Sequence, residues 1–285
     1  MAARGYALHI GLNSVDPAHY GGWPGDLAAC EADSEDMQHI GKSQNFESVR
    51  LVTKDATRAK VRAAIENAAS TLKSGDIFLL TYSGHGGQVP DIDDEEPDGL
   101  DETWCLYDGQ LLDDELGALW TKFAPEARIF VLSDSCHSGS ATRAFLAIAS
   151  NDGARALVAP DAAATGTPPR PRALPTDVAL RTYRQNRAFY DKLQGGPSSD
   201  ESAKETRATV RLISGCQDNQ VSLDGAFNGL FTGTLLRVWK EGAFQGAYAD
   251  FHKEIVKRMP PTQTPNHYVI GASNAAFDAQ RPFVV

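Results

Sequence analysis

Residues 77–87 read IFLLTYSGHGG and residues 129–139 read IFVLSDSCHSG. In each, four apolar residues give way to small and polar ones and then to glycine, the pattern of a buried strand running out into an open turn. Two such strands lying parallel and side by side bring His85 and Cys136 to one sheet edge, the carboxyl edge at which open α/β sheets bind ligands. A thiol is a strong nucleophile only as thiolate, and a nearby imidazole supplies the base or the ion-pair partner. The flanking glycines let a substrate approach the backbone and leave the Gly86 and Cys136 amides free to point at an oxyanion. The residues alone point to a Cys–His acyl-transfer site built from His85, Cys136 and Gly86. His137 is a rival base, but adjacent side chains in extended backbone face opposite ways, and it is read as structural.

Outward from these motifs, short apolar runs alternate with helical patterns, which predicts βαβ units and a largely parallel sheet. The strand candidates are Tyr6–Leu12, Ser48–Thr53, Asp76–Ser83, Ala127–Asp134, Thr209–Gly215 and His267–Gly271. Val61, Ile65, Ala68 and Leu72 form one helical stripe, with Thr57 as its N-cap and Gly75 as its stop. Asp26 is expected to cap a helix running towards Gly41, and Asp113-Asp114 to open another through Leu119 and Phe123. Leu230–Glu241 and Ala247–Met259 read as the last two helices. Residues 139–208 break the rhythm: Pro160, Pro168, Pro169, Pro171 and Pro175 crowd together, Val178–Leu193 reads as a basic helix, and GGPSSDESAKE follows at 195–205. A connection this long in a compact domain is usually functional or disordered.

The chain has 285 residues, 42% of them hydrophobic, which suits a globular protein with a sizeable core. Its net charge of −10 gives no positive field for releasing counterions from phosphates, so nucleic-acid binding is not expected. No run approaches the length of a membrane span, and the N-terminal stretch MAARGYALHIGLNSV is too polar for a signal peptide; a cytoplasmic protein is expected. Cys30, Cys105, Cys136 and Cys216 lie far apart, without CxxC or zinc spacing, so each is by default a small buried hydrophobe. Gly41-Lys42-Ser43 lacks the glycine of a phosphate loop, and no GxSxG elbow occurs.

YSGHGG at 82–87 and DSCHSG at 134–139 resemble the His and Cys motifs of the metacaspases, in the caspase-like clan of cysteine peptidases. LAACEAD at 27–33 resembles their early helix motif, LISGCQDNQVSLDG at 212–225 the start of the small-subunit-like segment, and QTP at 263–265 its end. The resemblance implies an α/β fold, a caspase-like three-layer sandwich whose six-stranded, mostly parallel sheet has helices on both faces. It implies one peptidase domain over 1–285, with a large-subunit-like part (1–138), an intersubunit-like linker (139–208) and a small-subunit-like part (209–285), usually monomeric. Where caspases carry QAC, this sequence has DSC. Asp33 lies on nearly the same helical face as Cys30 and Met37, where a carboxylate is costly without a partner. The resemblance assigns Asp33 and Asp134 to the primary specificity pocket, with Ser83 lining it. Two carboxylates there imply cleavage after Arg or Lys through charge-assisted hydrogen bonds, and hence peptide or protein substrates with basic residues.

Eight of the 37 acidic residues fall within 91–102, DIDDEEPDGLDE. An EF-hand register from Asp94 through Glu96, Asp98 and Gly99 meets Cys105 where a glutamate is required and fails. By resemblance, Asp101, Asp113 and Asp114 match calcium ligands, while Arg143 stands where a further acidic ligand is expected. Calcium is therefore a candidate cofactor, and no organic one is implied. The resemblance also makes Arg143, Arg155, Arg170 and Arg172 candidate self-cleavage sites. The alternatives are a non-catalytic caspase-fold scaffold that binds peptides or partners, and a small-molecule amidase.

Overall fold

All six expected strands pair into one sheet. They are β1 (Gly5–Gly11), β2 (Phe46–Val52), β3 (Ile77–Ser83), β7 (Arg128–Asp134), β9 (Thr209–Ser214) and β11 (Asn266–Gly271), in the order β11-β9-β7-β3-β1-β2. Neighbours run parallel except β11, which is antiparallel to β9. The computed structural model describes residues 2–91, 99–136, 170–217, 220 and 222–285.

Every residue of β3 is buried, because helices cover both faces of the sheet. Phe78, Leu80, Ile129 and Val131 turn to one side, against Val61, Ile65 and Ala68 of α2 (Arg58–Thr71) and Leu119 and Trp120 of α3 (Asp113–Trp120). Ile77, Leu79, Phe130 and Leu132 turn to the other. There they meet Met37 and Ile40 of α1 (Cys30–Ser43), and Phe231 and Leu235 of a later helix (Leu230–Trp239). Strand alternation thus divides the core into two layers around the sheet. The decisive pairing is β3 with β7, whose register matches Ser83 to Asp134. His85 and Cys136 each lie two residues beyond that pair, on the same edge.

Some boundaries differ from the expectation. Asp26 does not cap α1, which begins at Cys30. Its first amides are satisfied from afar: Asn13 Oδ1 accepts from the Cys30 and Glu31 amides at 2.9 and 3.2 Å, and the Asp224 carboxylate accepts from Ala28 and Ala29 at 2.7 and 3.2 Å. Thr57 does cap α2, accepting from the Lys60 amide at 3.4 Å, but the helix ends at Thr71, and Gly75 (φ +81°) turns the chain into β3. A second sheet was not anticipated: β4 (Gly86–Pro90), β5 (Leu100–Leu106) and β6 (Gly109–Leu112) form an antiparallel meander starting right after His85. The sequence of β4, GGQVP, has no clear alternation to announce it.

The region read as irregular is largely built where it is described. A two-residue strand, β8 (Arg170–Pro171), is followed by α4 (Thr176–Gln185), α5 (Arg187–Leu193) and α6 (Ser199–Glu205). The expected basic helix over 178–193 is broken at Asn186, and the polar stretch after it holds α6, capped by Ser198. Leu174 and Val178 pack against Val15, Tyr20 and Cys105, and Tyr190 packs with Val89 and Leu112. Of the elements that follow, β10 (Leu223–Asp224), α7 (Leu230–Trp239) and α8 (Tyr248–Val256) precede β11, and α9 (Ala275–Ala279) closes the order. Among the described residues no helix is long and apolar enough to cross a membrane. All four cysteines are buried and none is in a disulfide.

Candidate functional site

His85 is buried between the end of β3 and the start of β4. Its Nε2–H donates to the Gly25 main-chain carbonyl at 3.0 Å, and Trp23 lies against the ring at 4.7 Å between centroids. A carbonyl can only accept, so the proton resides on Nε2 and Nδ1 carries the lone pair. Burial pushes the imidazole pKa down to about 4, against the Gly25 hydrogen bond, which raises it. Nδ1 has no hydrogen-bond partner among the described residues. It does not receive the Cys136 thiol, which is directed at the Gln220 carbonyl. The Cys–His pair expected from the sequence thus stands at one edge without a direct hydrogen bond in this state.

What lies between the two motifs is a peptide group of the chain itself. The Arg172 carbonyl oxygen accepts from the Gly86 amide at 3.0 Å and from the Cys136 amide at 3.1 Å. The Arg172 amide donates to the Ser222 carbonyl at 2.9 Å, and β8 pairs antiparallel with β10. Past Arg172, the Leu174 amide donates to the Gly86 carbonyl at 2.7 Å. Residues 170–174 therefore lie extended across the sheet edge, hydrogen-bonded on both sides of the Arg172–Ala173 bond.

The Arg172 side chain is fully buried and fills a carboxylate pocket. Nη2 is 2.7 Å from Asp33 Oδ2 and 2.9 Å from Asp224 Oδ1; Nη1 is 2.9 Å from Asp134 Oδ2 and 2.8 Å from Ser83 Oγ. The carboxylates are held in place by other groups as well. Ser83 Oγ donates to Asp33 Oδ2 (2.7 Å) and the Gly229 amide to Asp33 Oδ1 (3.0 Å). Asp134 accepts from Ser222 Oγ (2.6 Å) and, at the first turn of α7, from the Thr232 hydroxyl (2.7 Å) and amide (3.1 Å). Gln263, from the QTP motif, fastens the neighbouring strand through Ser222 Oγ and the Leu223 amide. The Asp33 carboxyl is raised to about 6, chiefly by burial and further by Asp134, against the lowering effect of Arg172. One guanidinium among three buried carboxylates makes this a pocket built for a cation: withdrawing the partner of a buried charge costs about 3–5 kcal/mol.

Asp101, Glu102, Asp113 and Asp114 form a separate acidic group. Burial raises the Asp113 carboxyl well above its ordinary range, and Glu102, Asp114 and Asp101 raise it further. Asp101 accepts a hydrogen bond from Gln194 Nε2. Among the described residues no group of three His, Cys, Asp or Glu side chains could hold a metal ion. His137, Arg143 and Arg155, and the register at Asp94, Glu96 and Asp98, lie outside the described residues.

The structure brings Ser83, His85, Gly86, Cys136, Asp33 and Asp134 to one edge. Three contributors were not anticipated from the sequence: Asp224 as a third carboxylate, Gly25 with Trp23 around the imidazole, and Gly229 at the pocket wall. Asp224 had a signal, since it is one of the two acidic residues in the quoted segment LISGCQDNQVSLDG. Gly25 acts through its backbone, which no residue type announces.

The model of the caspase domain matches residues 4–277 of this chain. Metacaspase-1 of Coccidioides immitis is 31% identical over 258 residues, covering 80% of this chain and 52% of that protein. Metacaspase-1 of Ajellomyces capsulatus is 31% identical over 261 residues, covering 80% and 68%. The chain thus spans about half to two thirds of the length of these curated relatives. The crystal structure of protein GSU0716 from Geobacter sulfurreducens superposes with a TM-score of 0.86 at 55% identity, covering 99% of each chain. The chain belongs to the caspase-domain family, with metacaspases among its curated relatives.

Proposed function

We propose that the protein is a cysteine endopeptidase that cuts after a basic residue, with Cys136 as nucleophile and His85 as its acid–base partner. The observation that supports this most is the pose of Arg172: its carbonyl oxygen takes both the Gly86 and Cys136 amides while its side chain fills the carboxylate pocket. A substrate residue awaiting attack needs both contacts at once.

The steps follow from the groups present. The Cys136 thiol leaves the Gln220 carbonyl and passes its proton to His85 Nδ1, and the sulfur attacks the peptide carbon. The Gly86 and Cys136 amides hold the oxyanion, whose charge exceeds that of the carbonyl they already bind. Collapse breaks the C–N bond, and the imidazolium gives its proton to the departing amine. Water, deprotonated by His85, then hydrolyses the thioester and releases the acid and the thiol. The Gly25 carbonyl keeps the same Nε2–H throughout, which holds Nδ1 towards the reacting atoms.

The test is a panel of fluorogenic peptides with Arg, Lys or Asp before the scissile bond, with Cys136→Ala as control. Cleavage after the basic residues roughly 100-fold or more above Asp, absent in Cys136→Ala, is expected. Cleavage after Asp alone, or activity that survives Cys136→Ala, refutes it.

A further inference from the structure

We infer that Asp224 is a specificity-determining residue that makes the pocket select arginine over lysine. This rests on the peptidase reading for its purpose, but its evidence is the division of acceptors around Arg172. The two terminal nitrogens are served separately. Nη1 meets Ser83 Oγ, Asp134 Oδ2 and the Asp134 carbonyl, and Nη2 meets Asp33 Oδ2 and Asp224 Oδ1. A planar fork can satisfy both groups at once. Lysine ends in a single nitrogen, one bond short of either fork tip. It can approach one group of acceptors and leaves a buried carboxylate of the other without its partner.

With Asp33 and Asp134 alone, one ammonium between two carboxylates would be an acceptable occupant. The third carboxylate breaks that tie, and it is set before any ligand arrives. Asp224 Oδ2 takes the Ala28 amide at 2.7 Å and Oδ1 the Ala29 amide at 3.2 Å, so the main chain ahead of α1 fixes its orientation. Asp224 also stands in β10, the strand that pairs with residues 170–171. One two-residue strand therefore aligns the peptide backbone and reads the side chain that follows it. Asp33, Ser83 and Asp134 precede the linker in sequence, whereas Asp224 follows it, so the arginine pocket is complete only when both parts of the chain are in place.

The test measures binding without catalysis. In a chain carrying Cys136→Ala and Arg172→Ala, calorimetry compares a tetrapeptide amide copying residues 169–172 with the same peptide ending in lysine. The tethered segment lowers both apparent affinities alike and leaves their ratio unchanged. With Asp224 intact, arginine is expected to bind about 30-fold or more tightly than lysine. Asp224→Asn keeps the shape and removes the charge, and is expected to bring the ratio to within about threefold, chiefly through loss of arginine affinity. Near-equal affinities with Asp224 intact overturn the inference whether or not the variant folds, and so does an undiminished ratio in Asp224→Asn. Because Cys136 is absent from this assay, a chain that binds arginine selectively yet cuts nothing when Cys136 is restored sinks the peptidase reading and leaves the role of Asp224 standing.

Discussion

The carbonyl oxygen of Arg172 lies 3.1 Å from the amide nitrogen of Cys136, the residue whose thiol is the candidate nucleophile. Of the four arginines that the sequence offered as self-cleavage sites, this one has its carbonyl on both the Gly86 and Cys136 amides. Arg170, by contrast, projects its guanidinium to the Asp26 carbonyl at the surface. Self-cleavage is therefore expected at Arg172–Ala173, with N-terminal sequencing of the released part starting at Ala173. Arg172→Ala and Cys136→Ala should both stay intact on a denaturing gel, and Arg170→Ala should cut as wild type. A first cut at another bond would contradict this.

Cutting that bond should not separate the two pieces. Downstream of it, Leu174 is buried with Val15 and Tyr20, and β9 lies between β7 and β11 inside the main sheet. The cut protein is expected to elute as the intact one does in size-exclusion chromatography and to give two bands only after denaturation. Dissociation in native buffer would show that these contacts are insufficient.

Gly229 forms the wall of the carboxylate pocket. A Cβ at this position would stand 2.5 Å from Arg172 Nη1 and 2.5 Å from Asp134 Oδ2, whereas its φ of −59° suits any residue. Gly229→Ala is thus a steric plug without backbone strain. Its cleavage after arginine is expected to fall roughly 100-fold, on the scale of losing a buried ion pair, with the far-UV circular dichroism spectrum unchanged. Wild-type kcat/KM in this variant would place the substrate side chain elsewhere.

Acid should unfold the protein partly through His9. Burial pushes its pKa down to about 3, and Lys42 and Arg50 add to the shift. The ring hydrogen-bonds Thr81 Oγ1 at 3.0 Å. With the folded pKa below the unfolded value near 6.5, the unfolded chain binds the proton first, so stability falls as pH drops from 6.5 towards 3. Between pH 7 and pH 5 this single group removes about 2 kcal/mol. Urea unfolding of Cys136→Ala should show that loss, and adding His9→Gln should diminish it by about the same amount. Equal pH slopes in the two proteins would exclude His9 as the cause.

The six strands of the sheet, and the placing of His85 and Cys136 at one edge, were legible because each depends on a run of about seven residues. Burial on both faces makes β3 and β7 continuously apolar, and a strand must end where glycine and polar residues begin. Asp33 was legible for a related reason, a carboxylate on an apolar helical stripe. The start of α1 was not, because its caps come from Asn13 and Asp224 rather than from Asp26. Nor was β4, whose two glycines and terminal proline carry no alternation.

The chain's local patterns therefore determined which residues could do chemistry, while the tertiary structure decided what they face. Arg172 and Asp33 are 139 residues apart, and Arg172 and Asp224 are 52 apart, yet one buried guanidinium holds both. No periodicity encodes such a cluster. It forms because charges taken out of water must find partners, and only the folded sheet edge puts these side chains within reach of one another.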